Sequence, residues 1–286
     1  MGKKGQTPFP WNLPFWKVAC IITCAFALVA VVSFRIGRAP RRAEGQDGVS
    51  AEALVRAEKI LKLKHEVDFV FQRAADQYSV EYFAWQSTNV ELGGKITALL
   101  FSPYLKPSDT VVDFGCGSGT VLETLDVKTR WCVEVNDVAR GFAAQRGKMD
   151  RLHKFLSEIP DESVDKVMSN HALEHVAFPP LTLLEIFQKL KPGGRLIIAV
   201  PSMKDEGDRD YDPKDVNHHL YAWNCQLLGN LVKVVGFDLI EAKTKRFSRT
   251  GASDEAFLRG GADEFWKVAQ EENVHPQTFV VAQKPG

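Results

Sequence analysis

The sequence predicts an α/β fold, a doubly wound and mostly parallel sheet with helices on both faces. Three observations carry that expectation. From about Gly94 onward, short apolar runs alternate with helix-length amphipathic segments, as in a sheet whose strands are joined by crossover helices. Arg195-Leu-Ile-Ile-Ala-Val200 is apolar at every position after the first, as in a strand covered on both faces. Thr110-Val-Val-Asp-Phe-Gly-Cys-Gly-Ser-Gly119 leaves an apolar strand through a turn with glycines at alternate positions. There the backbone can take positive φ, and a ligand can approach without a Cβ in the way.

The elements follow in order. Lys95 to Leu105 reads as a helix ending at Pro107. Thr110 to Phe114 is the first strand, and Thr120 to Leu125 is helix-compatible. Arg130 to Val135 is the second strand, followed by a helix from Asp137 to Gln145 capped by Asn136 or Asp137. Arg151 to Leu156 and Asp165 to Asn170 are the third and fourth strands. Pro180 to Leu190 is an amphipathic helix stopped by Lys191-Pro-Gly-Gly194, before the apolar strand Arg195 to Val200. His219 to Val235 is a helix ending at Gly236. Phe237 to Thr244 and Thr278 to Gln283 make seven strands in all. Between the last two, Asp254 to Glu271 is amphipathic, with Phe257, Leu258, Phe265 and Trp266; packing on the last strands is favoured over capping a pocket.

The amino-terminal part differs. Residues 1–16 form a basic, proline-bearing tail with Trp11 and Trp16. Val18 to Phe34 then runs 17 residues without a charge, so residues 17–35 are expected to be a single transmembrane anchor with Trp16 at the interface. A cleaved signal peptide would have a shorter apolar core and a small-residue site, and a core helix would be amphipathic. A run this short suits a thin membrane, the endoplasmic reticulum or Golgi in a eukaryotic cell. Three lysines precede the run and Arg35, Arg38, Arg41 and Arg42 follow it, too even a balance to set its orientation. Residues 36–50 read as a polar linker and 51–89 as a helical extension that includes Tyr82 and Trp85. Residues 90–286 form the main domain.

Composition narrows the function. Hydrophobic residues make up 45% of the 286 and charged ones 25%, which suffices for a substantial core. Net charge is zero, so nucleic acid is not expected as a partner, local basic residues such as Lys243 and Arg246 notwithstanding. The five cysteines show neither a disulfide framework nor a metal-ligand spacing. No metal site is expected, and scattered reduced thiols lean toward a cytosolic catalytic face.

Glu134 closes the second strand about twenty residues after the turn, where an acid can accept hydrogen bonds from both hydroxyls of a ribose. With it, Val111-Val-Asp-Phe-Gly-Cys-Gly-Ser-Gly119 resembles motif I of the class I S-adenosylmethionine-dependent methyltransferases. Val133-Glu-Val-Asn136, Ile159-Pro-Asp-Glu-Ser-Val-Asp165, Ala172-Leu-Glu-His-Val176 and Leu190-Lys-Pro-Gly-Gly-Arg-Leu-Ile-Ile197 match that family in order and spacing. The likeness covers about residues 90–245 and implies a seven-stranded Rossmann-like methyltransferase sheet. A nicotinamide-dependent reductase would show Gly-x-Gly-x-x-Gly instead.

The resemblance implies S-adenosyl-L-methionine as cofactor. Asp113 and the backbone of Gly115 and Gly117 would hold its methionine part, Glu134 its ribose with Asn136 beside it, and Asn170 and His171 would line the methionine and transfer side; Cys116, Gly119 and Leu156 are also expected to bind the cofactor. The adenine end departs from the family: Lys154-Phe-Leu-Ser-Glu158 stands where relatives carry an acid, leaving Glu158, Ser157, or apolar packing by Phe155 and Leu156. A base would help deprotonate a hydroxyl or amine acceptor, and His171, His175, His218 and His219 are the candidates, with His171 and His219 foremost. His175 fits a helix start and packing role. Ser169-Asn-His-Ala172 replaces the Asn-Pro-Pro-Tyr of amide and adenine methyltransferases. A small molecule, lipid or glycan precursor is therefore expected as acceptor ahead of a protein. The rival reading is a non-catalytic methyltransferase-like module tethered to a membrane.

Overall fold

The computed structural model describes residues 69–70, 72–73, 78, 90–203, 210–247, 249–272 and 275–286. The expected anchor at 17–35, the linker, the helix from residue 51, Tyr82 and Trp85 lie outside the described residues. Among the described residues, no helix is long and apolar enough to cross a membrane.

Helix α1 (Val90–Phe101) precedes β1 (Thr110–Phe114), β2 (Thr129–Val133), α2 (Asp137–Arg146), β3 (Arg151–His153) and β4 (Val164–Asn170). Then come α3 (Pro179–Lys189), β5 (Leu190–Pro201), α4 (Cys225–Val235), β6 (Asp238–Lys245), α5 (Gly251–Glu272) and β7 (Gln277–Gln283). The seven strands form one sheet in the order β3-β2-β1-β4-β5-β7-β6. Pairing is parallel from β3 to β5, and β7 runs antiparallel to both β5 and β6. The expected doubly wound, mostly parallel sheet is what forms.

Alternation along each strand sorts the core into two layers. Val112, Val167, Leu196, Ile198 and Val280 share one face with Leu183 and Ile186 of α3 and Leu228 and Val232 of α4. Val111, Met168, Ile197 and Phe279 share the other with Ile96, Leu100 and Phe101 of α1 and Phe265 of α5. Phe265 is fully buried and its ring meets those of Phe247 and Trp266, so α5 packs on the sheet.

Several expectations are corrected. The helix after the glycine turn is only a 3-10 turn, Leu122–Thr124, because Leu122 and Leu125 turn inward to the core before the chain re-enters the sheet at β2. The helix expected from His219 begins at Cys225, where the Asn224 side chain accepts from the Leu227 N–H and caps it. His218 and His219 therefore lie on a loop. Asn136, not Asp137, caps α2, accepting from the N–H groups of Val138 and Ala139. Cys116 and Cys132 form a disulfide with Cα atoms 5.5 Å apart, where separate reduced thiols were expected. The reason is register: β2 lies beside β1, and the turn folds back so that the Cys116 N–H reaches the Val133 carbonyl.

Candidate active site

The order β2-β1-β4 makes the gap between the ends of β1 and β4 the place where successive connections depart in opposite directions. Open α/β sheets bind ligands at such a point. The glycine turn rises there from β1. Gly115, Gly117 and Gly119 have φ of 75°, 54° and 77°, the left-handed region glycine enters freely. A Cβ on Gly115 would lie 2.3 Å from the Ala172 Cβ, so the turn and the loop after β4 touch at that residue. A Cβ on Gly117 would meet nothing within 4 Å, so this glycine faces open space.

These two glycines separate folding from binding. Gly115→Ala is expected to cost about 2–4 kcal/mol of stability through overlap and positive φ. Gly117→Ala should cost about 1 kcal/mol from backbone conformation alone while filling the space above the turn. Urea denaturation of both variants, with ligand titration of Gly117→Ala, tests this; equal destabilisation by the two would contradict it.

Glu134 ties the turn to β2. Its Oε2 accepts from the Gly117 N–H at 2.9 Å and its Oε1 from the Asn136 N–H at 2.8 Å. Burial pushes the Glu134 carboxyl up, while those two bonds and the Arg140 charge pull it back. Asp113 is 3% exposed and its Oδ1 has no hydrogen-bond partner. Burial first, and the Glu134 charge second, push it up to about 8.

Asn170 ends β4 and His171 follows it at φ 50°, a left-handed conformation unusual for histidine. His171 Nε2 is 2.5 Å from Gln277 Oε1, and its Nδ1 is 3.7 Å from Glu174 Oε1. Glu174 is 1% exposed. His175 closes a 3-10 turn rather than opening a helix; its Nδ1 is 2.7 Å from the Tyr78 hydroxyl and its Nε2 is 3.8 Å from Glu174 Oε1. The His219 ring stands 4.9 Å from that of His175. Burial pushes His175 down to about 4, whereas the His171 side chain keeps 40% of its surface exposed. His218 stays at the edge, its ring 5.8 Å from Tyr78.

Thus Asp113, the glycines, Glu134, Asn136, Asn170, His171 and His219 gather at one end of the sheet. Cys116 contributes its place in the turn, with its sulfur bonded to Cys132. The Leu156 side chain lies in the core layer with Trp131 and Ile159. Glu158 Oε1 accepts from the N–H groups of Lys154 and Phe155, which occupies it in a local turn. Sequence reasoning passed over Glu174, Tyr78 and Gln277. Only Glu174 left a trace, as the neighbour of His175 in a segment already singled out.

A family model described as "Methyltransferase domain" matches residues 88–242. The demethylmenaquinone methyltransferase of Symbiobacterium thermophilum is 32% identical over 108 residues, covering 33% of this chain and 43% of that protein. An uncharacterized 37.1 kDa protein in transposon TN4556 of Streptomyces fradiae is 28% identical over 125 residues, covering 39% of this chain and 35% of that one. The chain therefore spans less than half the length of either. Among solved structures, the complex between the Haloferax volcanii Trm112 methyltransferase activator and the putative methyltransferase contains a similar fold. The TM-score is 0.53 at 22% identity, over 73% of this chain and 100% of that one.

Proposed function

The chain belongs to the methyltransferase-domain family, of class I fold and dependent on S-adenosylmethionine, and from that premise we propose that it transfers a methyl group to a small molecule, lipid or glycan precursor while tethered to a membrane. The observation that carries the proposal is the pair of buried carboxylates at the glycine turn, one of them with an oxygen that nothing in the chain satisfies.

The residues present fit the cofactor. Asp113 Oδ1 is an orphaned acceptor, and a buried acid of this kind suits a cationic ligand group. Glu134 accepts from the backbone of Gly117, Asn136 and Val135 and has acceptor capacity left for a hydroxyl donor. Gly117 leaves open room above the turn. When bound, S-adenosylmethionine supplies an activated sulfonium methyl, so the chain's task is alignment more than acid–base chemistry. Asp113 and Glu134 bind and orient. Asn170 and His171 border the side from which an acceptor approaches, and His219 stands across the loop from them. The bond of His171 to Gln277 orients its ring as a positioning group.

The acceptor class rests on the absence of the Asn-Pro-Pro-Tyr pattern and on the apolar run at residues 17–35, which would hold the domain beside lipid. The relative named for demethylmenaquinone points the same way. Two measurements test the proposal. Full-length protein should bind S-adenosylmethionine with micromolar affinity by calorimetry and transfer labelled methyl to a fraction of a membrane lipid extract. Binding without transfer to any acceptor class would favour a non-catalytic module, and a folded protein that binds none would sink the enzyme reading. Carbonate extraction should leave the chain in the membrane pellet.

A further inference from the structure

The carboxylate of Glu174 and the ring nitrogens of His175 and His219 all lie within 4.8 Å of one another. Hydrogen bonds around them hold the rings in place. The Tyr78 hydroxyl donates to the Asn217 carbonyl at 2.6 Å and stands 2.7 Å from His175 Nδ1. His175 also bonds the His218 backbone, and its Nε2 is 3.8 Å from Glu174 Oε1. Gln277 donates its amide N–H to the His275 carbonyl at 3.2 Å, which fixes its Oε1 as the acceptor of His171 Nε2–H. His171 Nδ1 is 3.7 Å from the same Glu174 oxygen.

A carboxylate oxygen and imidazole nitrogens thus converge on one spot beside a buried acid, the donor set of a divalent-cation site. Ligand atoms at about 2.1 Å from a tetrahedral ion stand about 3.4 Å apart, so the Glu174–His175 and Glu174–His171 spacings close with a shift of a few tenths of an ångström and His219, on its loop, with a shift of about an ångström. Tyr78 and Gln277 are then outer groups that orient the imidazoles. The left-handed backbone at His171 is a strained feature of the kind that persists where a site needs it.

We propose that Glu174, His175 and His219 form a binding site for a first-row divalent ion such as Zn2+, with His171 as a flanking fourth donor. Two imidazoles and a carboxylate match sites that keep a coordination position open. The cluster adjoins the glycine turn through Ala172 and Gly115. On the methyltransferase reading, on which this part rests, the open position takes an oxygen or nitrogen donor of the acceptor and lowers its pKa, so that its proton passes to solvent water before the methyl group is transferred.

The test uses full-length protein stripped with a chelator and dialysed against Co2+ alone, a coloured stand-in for Zn2+. One Co2+ per chain should bind, giving visible absorption bands that added Zn2+ abolishes. His219→Ala, on a loop outside the core, should lower Co2+ affinity at least tenfold, and Glu174→Gln should do the same if it folds. Asp113→Asn should leave Co2+ affinity unchanged. A folded protein that binds no Co2+, or a His219→Ala variant that binds it as well as the parent, overturns the proposal. S-adenosylmethionine binding, measured on the same samples, keeps the two readings apart. Loss of ion binding with cofactor binding intact defeats only the metal site; the reverse defeats only the methyltransferase.

Discussion

Asp113→Asn is expected to make the protein more stable at neutral pH while removing most of its affinity for S-adenosylmethionine. The folded state holds this carboxyl up at about 8 by burial and by the Glu134 charge, whereas an unfolded chain ionises it near 3.8. A raised folded pKa means that the contribution to stability is fully present below about pH 4 and is lost as pH rises toward 8. At pH 7 the unfolded state gains by shedding the proton, a cost to folding of about 2–4 kcal/mol that asparagine avoids. The gain from the variant should therefore be large in urea melts at pH 7 and vanish near pH 4. A gain that does not change with pH, or a loss at pH 7, would contradict the buried-acid account. Binding should behave oppositely. A cationic ligand group beside Asp113 favours the carboxylate, so binding at pH 7 should release a proton, visible as a buffer-dependent heat, and tighten as pH rises toward 8. The variant should show no such release and an affinity lower by about 2–3 kcal/mol.

Glu134→Ala should have the second-largest effect, and it acts on structure and binding together. The side chain is the acceptor for two N–H groups, those of Gly117 and Asn136, and its removal leaves both without their partner in a buried setting. A stability loss of about 2–4 kcal/mol is expected, with ligand affinity lower by about 1–3 kcal/mol. The variant also carries an internal check. Because the Glu134 charge is the second cause of the raised Asp113 carboxyl, that group should titrate lower in Glu134→Ala, though still above its ordinary value because burial remains. Carboxyl titration by NMR reads this directly; an unmoved Asp113 would show that the two acids do not sense each other.

Much of this was legible because it is local. Apolar runs mark buried strands by composition, and three alternating glycines mark a turn by the φ angles they alone adopt freely. The expected cofactor residues came from the family resemblance of these segments, and strand ends in a parallel sheet do fall at a common edge. Element boundaries proved less legible. His219 lies in a loop because Asn224 caps α4, and no periodicity distinguishes a capped start at Cys225 from one six residues earlier. Glu158 was read as a possible adenine partner, and its own neighbouring N–H groups claim it.

By itself, the sequence determined the succession of strands along the chain and marked the glycine turn, because periodicity and glycine conformation are properties of a few consecutive residues. The tertiary structure alone decided which distant groups meet. Cys116 and Cys132 bond because β1 and β2 are neighbours in register. Tyr78, Glu174, His175, His219 and Gln277 come from four separate segments, and the hydrogen bonds that hold them reach partners as far as 139 residues away in the chain. Burial and hydrogen bonding set the protonation of such groups, and neither exists until the chain has folded.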